Sequence, residues 1–161
     1  MIILGIMAML AVNEGWAIED VQQPEQVSLE VGGMASLDDG TLLVCTRRGE
    51  VWAIQEPYSD EPEYVLYADG LHEPLGLLPH DGWIYTAQRG ELSRMRDVDG
   101  DHRMDELETV CDDWEISGNY HEYAFGPRID SDGNFWVTLN KPFGSEPFGK
   151  AHWRGWAARI S

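Results

Sequence analysis

Basic residues are scarce in this sequence of 161 residues. It contains 11 lysines and arginines against 29 aspartates and glutamates, which gives a formal net charge of -18. A chain with this charge repels a phosphate backbone, so DNA and RNA are excluded as partners. The acidic residues are spread along the chain, where they favour a solvated surface and can attract cations.

Cysteine is almost absent. The two cysteines are Cys45 and Cys111, and their spacing fits no metal site. The sequence also contains no C-x-x-C-H motif. The chain therefore attaches no c-type haem. Export would permit a disulfide, but Cys45 lies inside a strand-like apolar run, and we predict two free thiols.

Long hydrophobic runs are also missing. The longest, Ile2 to Val12, is too short to span a bilayer. It precedes Gly15-Trp16-Ala17, a small-x-small pattern that suits signal-peptidase cleavage. Residues 1–17 are therefore predicted to be a signal peptide. Its usual basic start is missing, because no Lys or Arg precedes Arg47. The prediction is an exported protein, periplasmic or extracellular, with no membrane span. A buried apolar strand is the alternative for this run.

One repeated layout dominates the rest of the sequence. Each copy contains a short apolar stretch, an Asp-Gly turn, and a second, more apolar stretch that an Arg-Gly turn follows. Asp-Gly supplies the positive φ that a tight hairpin needs. The Asp-Gly turns are spaced by roughly 40 to 50 residues, which is the period of a four-stranded propeller blade. The copies lie near residues 28–70, 71–116 and 117–161.

These repeats predict an all-β fold in which residues 18–161 form an incomplete β-propeller of about three blades. Propellers close with four to eight blades. Three repeats would leave open strand edges and exposed apolar faces, so the chain is predicted to be a fragment or to need more chain elsewhere. A plain antiparallel sheet or sandwich is the alternative.

Three stretches carry a resemblance to a known family. Residues 37–52, LDDGTLLVCTRRGEVW, and residues 70–77, GLHEPLGL, are similar to the opening blade of glucose/sorbosone dehydrogenase-type propellers. Residues 117–127, SGNYHEYAFGP, resemble large exported propellers of planctomycete-type bacteria. The resemblance implies a six-bladed parent fold that oxidises sugars with pyrroloquinoline quinone, aided by Ca²⁺.

The resemblance also implies roles for particular residues. His121 matches the family's base, which takes the proton of the substrate hydroxyl. The repeat pattern, and not the resemblance, adds the neighbouring Glu122 as a second catalytic candidate. The family's polar contact to the quinone falls near His72 and Glu73.

Alignment of the repeats indicates a second arrangement. An acid precedes the first strand of each copy, at Glu30, Glu73 and Glu122, and equivalent positions of a propeller surround one axis. These carboxylates could converge at one mouth of the channel, where they would bind a cation or raise the pKa of a neighbouring histidine. Loop-capping acids that face water are the alternative. Arg47-Arg48 and Gln88-Arg89 occupy equivalent turns, where an arginine either contacts an anionic ligand or pairs with an acid. Gln88 and Arg89 are further candidates for binding the cofactor.

The acidic stretch from Asp97 to Glu108 predicts a Ca²⁺ site. Hard oxygen ligands at alternate positions of a tight loop can surround one ion, although His102 stands where the sharp turn favours glycine. We predict a structural site that bridges two blades, and a solvated acidic hairpin loop is the alternative. The predicted ligands are Asp97, Asp99, Asp101, Asp105 and Glu108.

Two tryptophans flank the last Arg-Gly turn. Trp153 and Trp156 could stack on sugar rings, but Trp at strand spacing more often packs between blades. We predict packing.

Two functions remain open, because propellers host both enzymes and binding proteins. The first is a sugar or polyol dehydrogenase that oxidises a carbohydrate hydroxyl or aldehyde with a quinone and Ca²⁺, and that passes electrons to an acceptor protein. The second is a non-catalytic exported propeller that binds a carbohydrate or a protein partner.

Overall fold

The computed structural model describes Gly15, residues 17–141 and residues 153–161, and every regular element in this part is a β-strand. The strands form three antiparallel sheets. No helix capable of crossing a membrane occurs in the described part of the chain. The predicted signal peptide lies outside the described residues, apart from Gly15 and Ala17.

The first sheet is a four-stranded meander whose spatial order follows the chain. Its first hairpin is set by Asp39, whose Oδ1 accepts a hydrogen bond from the backbone N–H of Thr41 at 2.9 Å. Gly40 takes a φ of 92°, which a residue with a side chain avoids. The strands are β1 (Val31–Ser36), β2 (Leu42–Thr46), β3 (Val51–Gln55) and β4 (Glu63–Ala68).

The second sheet repeats this meander, and the third contains three described strands in the order β11-β10-β9. The second sheet consists of β5 (Leu78–His80), β6 (Trp83–Ala87), β7 (Leu92–Arg96) and β8 (Glu106–Cys111). The third consists of β9 (Ala124–Ile129), β10 (Phe135–Leu139) and β11 (Trp156–Ile160). The prediction of an all-β fold, a partial β-propeller of three sheets, is confirmed.

Two apolar layers hold the sheets together. Leu43 of β2 and Met95 of β7 are fully buried in the layer between the first and second sheets. Leu92 of β7 and Val137 of β10 lie in the layer between the second and third. Truncation of such a leucine to alanine costs about 2–5 kcal/mol, so the layers fix the sheets against one another.

The first strands of neighbouring sheets approach each other along the propeller axis, β1 with β5 and β5 with β9. A Cβ on Gly76 would lie 2.3 Å from the carbonyl oxygen of Gly126, and the backbone N–H of Gly126 donates to the carbonyl of Leu75 at 3.2 Å. Backbone therefore packs directly on backbone at the axis.

Candidate functional site

A chain of alternating acids and arginines joins the first two sheets. Glu30 Oε2 lies 2.7 Å from Arg47 Nη2, and Arg47 Nη1 lies 3.8 Å from Glu73 Oε1. Glu73 Oε2 in turn lies 3.3 Å from Arg89 Nε. The acids precede the first strand of each sheet and the arginines follow the second strand, so equivalent repeat positions bring them together.

This arrangement decides between two interpretations of the aligned acids. The guanidinium group of Arg47 separates Glu30 from Glu73, and within the described residues the acids close enough to share an ion lie elsewhere. The predicted ring of converging carboxylates is therefore wrong. The alternative prediction, that Arg47 and Arg89 pair with acids, is confirmed.

Arg89 also connects the second sheet to the segment that leads into β9. Its Nε donates to the backbone carbonyl of Glu122 at 2.9 Å, and its Nη2 donates to that of Asn119 at 2.6 Å. The carbonyl oxygen of Arg89 itself accepts from Trp114 Nε1 at 2.9 Å and from Arg154 Nη2 at 3.0 Å. Several segments of chain therefore meet at one residue.

Arg154 is the residue that sequence reasoning missed. It is 6% exposed, and its guanidinium donates to the carbonyls of Arg89, Glu115 and Tyr123 at 2.9 to 3.2 Å. Burial lowers the pKa of Arg154, while the charge of Glu122 acts in the opposite direction; an arginine still keeps its proton. The available signal was the Arg-Gly pair, which recurs before β7 and before β11.

Glu122 is fully buried beside this junction. Its carboxylate accepts two hydrogen bonds from Ser117, one from the backbone N–H and one from the hydroxyl, each at 2.6 Å. A buried carboxylate needs such donors, because an unpaired buried charge is costly.

The predicted base, His121, lies on the same connecting segment and is half-buried. Its ring centroid is 3.9 Å from that of Tyr120, and its carbonyl accepts from Asn140 Nδ2 at 2.7 Å. His72 is exposed on the corresponding segment before β5, where its backbone N–H donates to Gln88 Oε1. Each histidine thus stands next to an acid of its repeat.

Several side chains predicted to serve catalysis or the quinone are already engaged within the protein. Gln88 Nε2 donates to Glu91 at 2.9 Å and to Ser93 at 2.6 Å, besides the bond that its Oε1 accepts from His72. Arg89 and Glu122 are engaged at the junction described above. The polar atoms of these three residues thus already have partners within the protein, and their predicted roles stay predictions.

The acidic loop between β7 and β8 forms the densest group of candidate metal ligands. Carboxylate oxygens of Asp97, Asp99 and Asp105 lie within 4.8 Å of one another. Asp101 lies outside this group, and its Oδ1 accepts from the backbone N–H of Arg103 at 2.9 Å. Glu108 belongs to β8, where its Oε2 bonds Arg94 across the sheet at 2.6 to 2.8 Å.

The loop backbone explains this grouping. His102 takes a φ of 61°, the left-handed conformation that we expected to favour glycine, and its N–H donates to Asp97 Oδ2 at 2.8 Å. Gly100 also takes a positive φ. A cleft of about 540 Å³ borders the loop, with Tyr67 and Asp97 among its walls. Burial, together with the charge of Asp97, raises the pKa of Tyr67 to about 12.

The two tryptophans at the last turn are a second correction. Trp153 is 52% exposed and Trp156 is 64% exposed, and their rings contact each other edge to face at 6.4 Å. Within the described residues they therefore do not pack between blades, because the third sheet has no described neighbour beyond β11.

No protein-family model and no curated protein matches this sequence. Among solved structures, the chain is similar to a Thermus thermophilus protein that is provisionally described as an oxidoreductase (glucose dehydrogenase), with 22% sequence identity and a TM-score of 0.57. The similarity covers 70% of this chain and 38% of that one. At this identity the similarity bears on the fold, and there it agrees with the resemblance in the sequence.

Proposed function

We propose that the protein is an oxidoreductase of the glucose dehydrogenase kind that oxidises a hydroxyl or aldehyde group of a carbohydrate. The observation that carries the proposal is the similarity of its fold to the Thermus protein with that description. His121 supports it, because the nitrogen of an imidazole can accept the proton of a substrate hydroxyl. The buried carboxylate of Glu122 serves the junction and positions the segment that carries His121.

The redox cofactor in this proposal is pyrroloquinoline quinone, which would accept the electrons of the substrate. His72 and Glu73 remain its candidate contacts, and no step is assigned to them. An acceptor protein would then reoxidise the cofactor.

The test is dye reduction by the purified chain with a panel of aldoses, with and without added quinone and Ca²⁺. The proposal expects quinone-dependent reduction that His121→Asn abolishes. His80→Asn is the matched control and should retain activity; the ring of His80 lies 6.2 Å from those of Tyr85 and Phe135. Absence of dye reduction with every aldose would overturn the proposal.

A second candidate is a non-catalytic propeller that binds a carbohydrate. The engagement of Gln88, Arg89 and Glu122 within the protein favours it, because these groups then hold the fold instead of a cofactor. Binding to a glycan array by a sample that reduces no dye would support this candidate. If the sample binds no glycan on the array, the candidate is refuted.

We also propose that the loop between β7 and β8 holds a structural Ca²⁺. The observation is the group formed by Asp97, Asp99 and Asp105, whose hard oxygen atoms suit this ion. The site would fix the loop beside Tyr67 of the first sheet, and so would join two blades.

Export to the periplasm or the exterior stays a prediction that rests on residues 1–17. Amino-terminal sequencing of protein recovered outside the cytoplasm would test it, and a start at Ile18 is the expected result.

A further inference from the structure

His121 lies in a tight turn that its own residues close. The backbone N–H of Glu122 donates to the carbonyl of Asn119 at 3.1 Å, so residues 119–122 form a β-turn with His121 in its third position. Asn119 Oδ1 accepts from the backbone N–H of His121 at 3.0 Å, a bond that asparagine commonly makes at the start of a turn. The shape of the turn is therefore local, whereas its placement on the propeller depends on contacts from distant parts of the chain.

Arg89 holds this turn from the second sheet. Its guanidinium donates to the carbonyls of Asn119 and Glu122, which are the first and last residues of the turn. The side chain of Arg89 is only 12% exposed, and its Nε also lies 3.3 Å from Glu73 Oε2. One planar cation thus bonds both ends of the turn, while the carboxylate of Glu73 balances its charge.

Asn140, directly after β10, holds the same turn from the third sheet. Its Nδ2 donates to the carbonyl of His121 at 2.7 Å, and its Oδ1 accepts from the backbone N–H of Tyr123. Its own backbone N–H donates to the carbonyl of Tyr123 at 3.2 Å. The candidate base is therefore carried by a turn that one residue from each of two neighbouring sheets holds in place.

Arg47 of the first sheet shows what an arginine does at the equivalent turn. Its side chain is 54% exposed and contacts the carboxylates of Glu30 and Glu73. Arg89 differs in that it bonds two backbone carbonyls as well as one acid. The repeat accounts for the pairing with acids, and the two further bonds of Arg89 are made to the turn that carries His121.

We propose that Arg89 and Asn140 are positioning residues, which hold the imidazole of His121 where it takes the proton of the substrate hydroxyl. This inference rests on the proposed function, in which His121 is the base. Neither residue touches the substrate, because each acts through the backbone of the turn. A displacement of about 1 Å at a reacting group can lower the rate by about 100-fold, so the loss of either contact should slow turnover while the sheets stay folded.

Two conservative variants, Arg89→Lys and Asn140→Asp, test the two contacts separately. Lysine keeps a positive charge near Glu73, but its single nitrogen cannot bond both carbonyls of the turn as the guanidinium does. Aspartate keeps an acceptor for the backbone N–H of Tyr123 and loses the donor to the carbonyl of His121. Each variant therefore removes one contact with the turn and leaves the rest of the site in place.

Hydrogen–deuterium exchange measures how firmly the turn is held, and it does not depend on activity. We expect residues 117–123 to exchange about tenfold faster in each variant, while β2 and β6 exchange as in the unmodified chain. Arg159→Lys changes an exposed arginine of β11 in the same way and is the matched control, which should exchange like the unmodified chain. Unchanged exchange of residues 117–123 in both variants, or equally faster exchange in β2 and β6, would overturn the proposal.

Kinetics of dye reduction with added quinone and Ca²⁺ give the second measurement. Each variant should lower kcat by about 10- to 100-fold and change KM by less than about threefold, because the turn places the base and does not bind the substrate. Arg159→Lys should leave both constants unchanged. An active unmodified chain whose two variants keep their kcat would overturn the positioning role alone. If the unmodified chain reduces no dye with any aldose, the proposed function fails, and the positioning role fails with it.

Discussion

Gly33 and Gly76 approach so closely that a Cβ on Gly33 would lie 2.5 Å from the Cα of Gly76. These glycines begin equivalent repeats, one in β1 and one just before β5. Real Cβ atoms do not make contacts this short, so no side chain fits between the first and second sheets at the axis. The same relationship recurs between Gly76 and Gly126.

This contact predicts that Gly76→Ala separates adjacent sheets. The new methyl group would collide with the carbonyl of Gly126, and alanine would be strained at the φ of 145°. We expect a loss of about 2–3 kcal/mol in the free energy of unfolding, as for other overpacked sites. Gly90→Ala is the control, because a Cβ there has no neighbour within 4 Å. Equal urea midpoints for the two variants would contradict this account.

Arg154→Leu should destabilise the junction of the second and third sheets. The leucine removes a donor from the carbonyls of Arg89, Glu115 and Tyr123. Arg89 keeps Trp114 and Tyr123 keeps the backbone N–H of Asn140, whereas Glu115 loses both bonds from the guanidinium, and an unsatisfied buried group costs about 1–3 kcal/mol. We expect a total loss of about 3 kcal/mol in urea unfolding. Arg48→Leu, on the exposed turn after β2, should change stability by about 0.5 kcal/mol or less. A similar midpoint for both would refute the role of Arg154.

The Ca²⁺ proposal predicts which acids matter. Asp97→Asn with Asp105→Asn should abolish the heat of Ca²⁺ binding in a calorimetric titration, because both carboxylates belong to the loop group. Glu108→Gln should retain it, since Glu108 pairs with Arg94 on the sheet. Ca²⁺ should also raise the melting temperature of the unmodified chain. If the unmodified chain gives no heat of Ca²⁺ binding, the proposed site is refuted. If Glu108→Gln loses Ca²⁺ binding, Glu108 belongs to the ligands and the proposed ligand set is wrong.

The two cysteines should differ in reactivity. Both are free, as the sequence predicted. Cys45 is fully buried, its Sγ donates to the carbonyl of Pro74 at 3.3 Å, and burial raises its pKa to about 11. Since the thiolate is the reactive form, a disulfide reagent at mildly alkaline pH should modify Cys111 alone in the folded chain. Both should react in urea, and rapid modification of Cys45 without urea would contradict the packing.

Tyr67 predicts how stability changes at high pH. Burial raises its pKa from about 10 in the unfolded chain to about 12 in the folded one. Because the folded chain holds the phenol proton more tightly than the unfolded chain does, this contribution to stability is fully present below about pH 10. It is lost as the pH rises from about 10 towards 12. Ultraviolet titration should show one late phenol that Tyr67→Phe removes. A late transition that persists in Tyr67→Phe would assign the shift to another tyrosine.

Local residue chemistry made the strands and turns predictable. The alternating run at Val51–Gln55 and the Asp-Gly pair at Asp39-Gly40 encode a strand and a hairpin through interactions within a few residues. The pairing of Arg89 with an acid also followed from the repeats. The contacts of Arg154 with backbone carbonyls could not be predicted from the sequence, because they join segments that lie far apart in the chain.

The sequence by itself determined the hairpins, the repeat period and the free thiols, since these depend on neighbouring residues and on composition. Only the tertiary structure decided that arginines separate the aligned acids, and that Asp97, Asp99 and Asp105 come together while Glu108 turns to Arg94. A charged side chain is placed by its neighbours in space. Those neighbours come from other repeats and strands, and the order of residues along one repeat does not specify them.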